Sequence, residues 1–117
     1  MQRHVAAAVD LLVEGWRLNR FTKSLLTADD KLRRKISNTV ARFDKHFRSA
    51  TEIFGLEVVD FTGAEFDAGL PLTPINLADF ASDENLFVES MLEPTIKLAG
   101  SAQVIRLGTA ILGRQAT

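Results

Sequence analysis

The sequence contains no cysteine, only two histidines and no long apolar run, and each absence excludes a class of protein. Without cysteine the chain has no disulfide framework, no thiolate zinc site and no cysteine nucleophile, which fits a reducing cytoplasm. Apolar stretches such as 5–13 are broken by charges and are much shorter than the roughly 20 residues that span a bilayer. Because no secretory signal pattern is present either, we expect a cytoplasmic protein that does not enter a membrane.

Residue patterns typical of catalysis are also missing. His4 and His46 are far apart in sequence and lie in basic, helical contexts, so we interpret them as surface residues. The neighbouring carboxylates at 29–30 and 83–84 lack the spacing of a metal-binding loop, and we interpret them as caps or solvated charges. No glycine loop for phosphates is present. We therefore predict that the chain is not an enzyme and has no catalytic, cofactor-binding or metal-binding residue.

What the sequence does contain is a globular composition with an uneven charge distribution. The 117 residues are 46% hydrophobic and 25% charged, which is typical of one small domain. The net charge is only −1, yet residues 1–48 hold eleven Lys or Arg and five Asp or Glu. Residues 49–96 hold ten acids and no Lys or Arg, and residues 97–117 hold three bases and no acid. Oppositely charged parts can attract each other within one chain or across a dimer, or can face different partners.

Helical periodicity dominates the first half of the chain. Apolar residues at steps of three and four predict a helix over 3–26. Gly15 within it either permits the close approach of a neighbouring helix or is simply tolerated, and we favour tolerance. The segment 27–30 supplies a capping side chain and acids for the start of a second helix, which Gly55 ends. An apolar stripe with near-heptad spacing runs along this second helix: Leu32, Ile36, Val40, Phe43, Phe47, Ala50 and Phe54.

Three phenylalanines on one stripe need to be covered. A hairpin of two helices has little interior of its own. The stripe can pack on the first helix, on the rest of the chain, or on a second copy in a four-helix bundle. We expect a homodimer, with these three alternatives open.

Short β-rich segments follow the second helix. The predicted fold class is therefore α+β, with a helical hairpin at 1–55 and a compact all-β domain at 56–117. Prolines and a glycine predict a surface loop at 67–74. The other predicted segments are a hairpin of 56–61 with 64–66, a short strand or turn at 76–81, a strand at 86–92, and a hairpin of 95–98 with 103–112 around 99–101.

A cluster of basic residues on the second helix raises the question of nucleic-acid binding. The segment 29–52 also contains four acids, and no aromatic residue lies within the cluster for base stacking. An ordinary solvated helix face is the favoured interpretation. Nucleic acid is therefore not expected as a partner and remains a minor alternative. The basic residues are Lys31, Arg33, Arg34, Lys35, Arg42, Lys45 and Arg48.

The order of three short motifs resembles a known family. The sequence FGLEVVD at 54–60 follows a helical pair, Phe66 and Asp67 come soon after, and Gly100 precedes the triplet Val-Ile-Arg at 104–106 and an apolar strand. This order, over roughly residues 9–112, resembles GrpE-type nucleotide exchange factors of Hsp70 chaperones. The resemblance implies bundle helices, a β domain and no catalytic residue.

The resemblance also implies a partner and candidate contacts with it. The β domain would bind the nucleotide-binding domain of an Hsp70-type ATPase and promote ADP release. Phe66 and Asp67 match the β-domain motif near that contact, Arg106 matches the C-terminal arginine of the family, and Leu70 lies in the same loop as Phe66. An alternative is a GrpE-like scaffold without exchange activity, because Pro71 and Thr73 stand where the family usually has His and Ala.

Overall fold

A computed structural model describes residues 3–25 and 29–115 and confirms the predicted α+β architecture, with two N-terminal helices followed by small sheets of short strands. The chain divides into two compact units, Met1–Leu56 and Glu57–Thr117. The first unit, which we call the helical unit, holds helices α1 (Arg3–Lys23) and α2 (Asp30–Phe54). Helix α1 ends at Lys23, and Ser24 and Leu25 form a turn, so the predicted extension of the helix over these two residues was wrong. The predicted last residue, Leu26, lies outside the described residues.

Helix α2 begins and ends at the residues whose chemistry favours helix termini. The Asp29 carboxylate accepts hydrogen bonds from the backbone N–H groups of Lys31 at 3.0 Å and Leu32 at 3.2 Å, so it caps the N-terminus. At the other end Gly55 has a φ of 67°, and its N–H donates to the carbonyl oxygen of Glu52 at 3.1 Å. Only glycine adopts this left-handed conformation without side-chain strain, so the predicted helix end is confirmed.

The two helices approach each other closely at Gly15. A Cβ atom at this position would lie 3.1 Å from Cζ of Phe43, which is tighter than an ordinary van der Waals contact. This contact favours the alternative that Gly15 permits the close approach of a neighbouring helix, because an added Cβ would require the ring of Phe43 to shift by a few tenths of an ångström. Asn19 donates a hydrogen bond to Asp44 at 2.8 Å and further joins the two helices.

The second unit, which we call the β unit, contains short strands in two three-stranded sheets. The first sheet has the order β1-β4-β5 and the second the order β2-β6-β3. The strands are β1 (Leu56–Val59), β2 (Leu72–Pro74), β3 (Leu86–Glu93), β4 (Thr95–Leu98), β5 (Val104–Arg106) and β6 (Gly108–Arg114). A short 3-10 helix, Leu77–Asp79, occupies the segment predicted as a strand or turn.

Two predictions about strand pairing were wrong. Strand β1 neighbours β4 rather than residues 64–66, from which only Glu65 forms an isolated bridge, to Phe87. The predicted surface loop contains β2, which pairs in parallel with β6. Pro74 is tolerated there because it is the last residue of an outer strand.

Three other strand predictions were confirmed in whole or in part. Strand β3 extends one residue beyond the predicted 86–92, and β4 pairs with β5 as an antiparallel hairpin. The predicted strand at 103–112 is divided at Leu107, because β5 before it belongs to the first sheet and β6 after it is the central strand of the second.

Asn76 extends the pairing of β2 beyond its last residue. Its side-chain amide donates to the carbonyl oxygen of Leu112 at 3.0 Å, and its amide oxygen accepts from the Leu112 N–H at 2.9 Å. The side chain thus imitates a peptide group of a neighbouring strand, which satisfies two backbone groups of β6.

Strands of both sheets supply the core of the β unit. Met91, Ile96 and Leu112 are among its fully buried side chains. The buried hydroxyl of Thr95 donates to the carbonyl oxygen of Pro71 at 2.6 Å and accepts from the Gly108 N–H at 3.0 Å. This hydroxyl ties together the starts of β4 and β6 and the residue before β2, because a buried polar group needs its partners.

Candidate functional site

A surface cleft of about 440 Å³ in the β unit brings two of the predicted partner-binding residues together. Phe66 and Asp67 line it beside the 3-10 helix and the turn that follows. Its lining combines apolar side chains with two carboxylates: Phe66, Asp67, Leu77, Phe80, Ala81, Ser82, Glu84 and Leu86. A cleft lined by apolar side chains together with a few polar groups is typical of a surface that binds another molecule.

Local hydrogen bonds hold Phe66 and Asp67 at the cleft. The Phe66 N–H donates to the carbonyl oxygen of Leu86 at 2.9 Å, which fixes this segment against the start of β3. The Asp67 carboxylate accepts from the Gly69 N–H at 2.7 Å, forming a turn in which the side chain replaces a backbone acceptor. Phe66 is half-buried and Asp67 is exposed. The backbone thus presents an aromatic ring and a charge side by side.

Glu84 supplies a carboxylate to the lining of the cleft, and Arg114, which is not among the lining residues, pairs with it. Arg114 donates from Nε to Glu84 at 2.8 Å, and its guanidinium carbon lies 5.0 Å from the centre of the Phe80 ring. The hydrogen bond from Arg114 lowers the pKa of Glu84, and the N–H of Ala81, which donates to the same carboxylate, acts in the same direction. Glu84 therefore carries its negative charge at neutral pH, with an arginine holding it in place.

The other two predicted partner-binding residues lie elsewhere. Leu70 is half-buried at the end of the turn that Asp67 starts, and Arg106 is half-buried in β5, where it donates to Glu93 at 3.3 Å. Neither belongs to the described residues that line the cleft. The ion pair with Glu93 gives Arg106 a structural contact within the β unit.

Sequence reasoning missed most of the cleft. Leu77, Phe80 and Glu84 carry no local signal of a site, and Glu84 was interpreted as a solvated charge. The pairing of distant segments is what brings these side chains to Phe66.

The predicted stripe on α2 is covered along its middle and open at both ends. Val40 is buried, and Phe43 and Phe47 are half-buried with ring centres 5.6 Å apart. Leu32 and Phe54 at the two ends remain 46% and 53% exposed. Ile36 is half-buried. The stripe therefore contributes to the interior of the helical unit and still presents apolar surface.

The described residues contain no group of three or more His, Cys, Asp or Glu side chains that could hold a metal ion. His4 and His46 are both exposed. No helix within 3–25 or 29–115 is long and apolar enough to cross a membrane.

Comparison of the chain with protein-family models, with curated proteins and with solved structures yields no match. The function proposed below is therefore supported by the motifs and the geometry of this chain.

Proposed function

We propose that this protein is a cytoplasmic GrpE-like co-chaperone whose β unit binds the nucleotide-binding domain of an Hsp70-type ATPase and promotes ADP release. The observation that carries the proposal is the position of Phe66 and Asp67, the motif pair of the resemblance, together in one cleft with apolar side chains. The order of helical pair, glycine-capped helix end and β unit also supports it.

An exchange factor requires a rigid surface rather than a catalytic group. It accelerates release if it binds the open conformation of its partner more tightly than the closed one, because only a difference in affinity shifts a population. A rigid surface is what the cleft offers, since Phe66, Asp67 and Glu84 are each held by hydrogen bonds of the backbone or of a neighbouring side chain.

The direct experiment is stopped-flow release of a fluorescent ADP analogue from an Hsp70-type ATPase domain, with and without saturating full chain. Leu77 and Leu107 make a matched pair of variants, because they are 46% and 49% exposed in the same unit and only Leu77 lines the cleft. We expect Leu77→Ala to weaken the acceleration by about tenfold, as interface hot spots do. Leu107→Ala should leave it unchanged.

The outcomes separate the two candidate functions. Binding without acceleration would favour the alternative, a GrpE-like scaffold that acts as an interaction or assembly subunit. What favours this alternative is the departure from the family motif, because Pro71 and Thr73 stand where the family usually has His and Ala. Absence of both binding and acceleration would refute the exchange function.

The proposal includes a homodimer formed through the stripe on α2. The near-heptad spacing and the exposed ends at Leu32 and Phe54 support a second copy as the cover. We expect a dimer by light scattering, and a monomer for Leu32→Lys with Phe54→Lys. Ile53→Lys is the matched control, because Ile53 is adjacent and 81% exposed but lies off the stripe. A monomeric wild-type chain would contradict the dimer and leave the exchange proposal intact.

A further inference from the structure

Five cations of α2 lie on one face of the helix. We call Lys31, Arg34, Lys35, Arg42 and Lys45 the basic face, and all five are exposed. With 3.6 residues per turn and a rise of 1.5 Å per residue, they fall within an arc of about 100° and extend over about 21 Å of the helix. This arc contains one further side chain between positions 31 and 45, that of Asn38, so it holds neither an acid nor an apolar residue.

The charge of the basic face is not compensated within the part of the chain that the structure describes. The ion pairs of the helical unit involve other cations, in the pairs Arg17–Glu14, Lys23–Asp44 and Arg33–Asp30. None of the five cations of the basic face forms one. Their positive charge is therefore available to an external anion.

Three of the four acids of segment 29–52 are engaged elsewhere in the folded helix, and the fourth lies beyond the end of the basic face. Asp29 caps the helix, and Asp30 accepts from Arg33 at 2.7 Å. Asp44 lies on another side of the helix, where it pairs with Lys23 at 3.3 Å and accepts from Asn19 at 2.8 Å. Glu52 follows Lys45 by about 10 Å along the helix. Acids close in sequence therefore do not argue against a polyanion as the ligand of this face.

The composition of the basic face distinguishes among anionic partners. A protein interface needs apolar or aromatic side chains at its centre and is depleted in lysine, and a membrane-surface helix needs an apolar side to bury in lipid. The basic face has no apolar or aromatic side chain. On the opposite side only the ends of the apolar stripe, Leu32 and Phe54, are exposed, because its middle is buried or half-buried from Val40 to Phe47. A nucleic-acid backbone requires only cations in a row.

We propose that the basic face binds the phosphate backbone of a nucleic acid. Duplex DNA carries one negative charge per about 1.7 Å of axis, so a row of about 21 Å faces several phosphates, and binding is driven by the release of their counterions. The side chains contact phosphates rather than base edges, so little sequence preference is expected. This inference does not rest on the proposed function, because it concerns the helical unit and a different ligand.

The experiment measures the fluorescence anisotropy of labelled oligonucleotides with the full chain at 50 and 200 mM KCl. The probes are a 25-base-pair DNA duplex, the corresponding RNA duplex and a single strand of each. Four phosphate contacts on duplex DNA predict an affinity decrease of about 100-fold between the two salt concentrations. The major groove of DNA admits a helix whereas that of duplex RNA is too narrow, so tighter binding to duplex DNA would identify groove docking.

Two triple variants remove the same charge from different places. Lys31→Gln, Lys35→Gln and Arg42→Gln deplete the basic face, whereas Arg17→Gln, Lys23→Gln and Arg33→Gln remove cations that already have ion pairs. We expect the first variant to bind at least about tenfold more weakly at 50 mM KCl, with a salt slope flatter by about 0.9 for each phosphate that is no longer neutralised. The second should bind as the wild type does. Far-ultraviolet circular dichroism verifies that both retain their helices.

Four outcomes would overturn the proposal. The first is that no probe binds at 50 mM KCl, and the second is that the two triple variants weaken the binding of nucleic acid equally. The third is that polyglutamate displaces the duplex from the protein as effectively as unlabelled duplex does. The fourth is that the protein binds phosphatidylserine vesicles more tightly than nucleic acid. The second would show a general effect of net charge. The third and fourth would assign the basic face to an acidic polypeptide or a lipid surface.

Discussion

The helical unit and the β unit differ in how completely they cover their apolar side chains. In the β unit Val88, Met91 and Ile96 have no exposed surface, whereas Leu11 and Ile53 of the helical unit are 74% and 81% exposed. The charges differ as well, since residues 1–56 hold eleven bases and six acids and residues 57–117 hold three bases and nine acids.

This comparison separates stability from binding capacity. Interlocked strands bury whole side chains, and each fully buried Val, Leu, Ile or Met stabilises a fold by about 1.5–3 kcal/mol. Two helices can cover only one stripe each, so the helical unit retains apolar and cationic side chains on its surface. We infer that side-chain burial stabilises the β unit more than the helical unit, and that the helical unit offers more surface to other molecules.

The largest expected effect tests this difference directly. Met91→Ala should lower the free energy of unfolding by about 3 kcal/mol, because it removes a buried side chain and leaves a cavity. Leu11→Ala, which truncates an exposed side chain in the helical unit, should change it by less than about 0.5 kcal/mol. Urea unfolding of both variants measures the contrast. Equal effects of the two substitutions would contradict the exposure of Leu11 and with it the contrast between the two units.

A smaller contrast is expected between two threonine hydroxyls. Thr95→Val should cost about 2 kcal/mol, because the Pro71 carbonyl and the Gly108 N–H would both lose their buried partner. In Thr22→Val the hydroxyl that donates to the Leu18 carbonyl at 2.9 Å is exposed, and the change should be within about 0.5 kcal/mol. Unfolding in urea measures both, and a neutral Thr95→Val would contradict the bridging role of this hydroxyl.

The smallest expected effect concerns pH and the β unit alone. The pKa of Glu84 is lowered in the folded state, chiefly by the hydrogen bond from Arg114. A lowered folded pKa gives stability that is present above the unfolded value, near 4.5, and is lost as the pH falls through the folded value. Wild type should therefore exceed Glu84→Gln in urea midpoint at pH 7 but not at pH 2. Arg114→Gln should remove the same pH-dependent advantage. If wild type still exceeded Glu84→Gln in urea midpoint at pH 2, the ion pair of Glu84 with Arg114 would be excluded as the cause of the difference.

Local signals in the sequence predicted the elements whose ends are decided by neighbouring residues. Helix α2 begins after Asp29, because its carboxylate satisfies the first backbone N–H groups, and ends before Gly55, because glycine accepts the left-handed conformation. Strand β3 and the hairpin of β4 with β5 were predicted for a similar reason, since a glycine turn and alternating apolar residues lie within a few positions of each other.

Pairings between distant segments were not predictable in this way. The parallel pairing of β2 with β6 joins Leu72 to Gly108, and no residue near either position indicates the other. The close approach of Gly15 to Phe43 is likewise a property of two helices rather than of one. The site divides similarly: Phe66 and Asp67 were found from a local motif, whereas Leu77 and Phe80 reach them only through the folded sheet.

The place of β6 between β2 and β3 constrains the order in which the protein can form as it is synthesised. The ribosome releases β2 and β3 first, and neither has its partner until residues 108–114 have left the exit tunnel. The two helices, by contrast, meet through residues much nearer in sequence and can pair earlier. During translation the helical unit should therefore be the first folded part of the chain, and the unpaired strands behind it the part most in need of protection from aggregation.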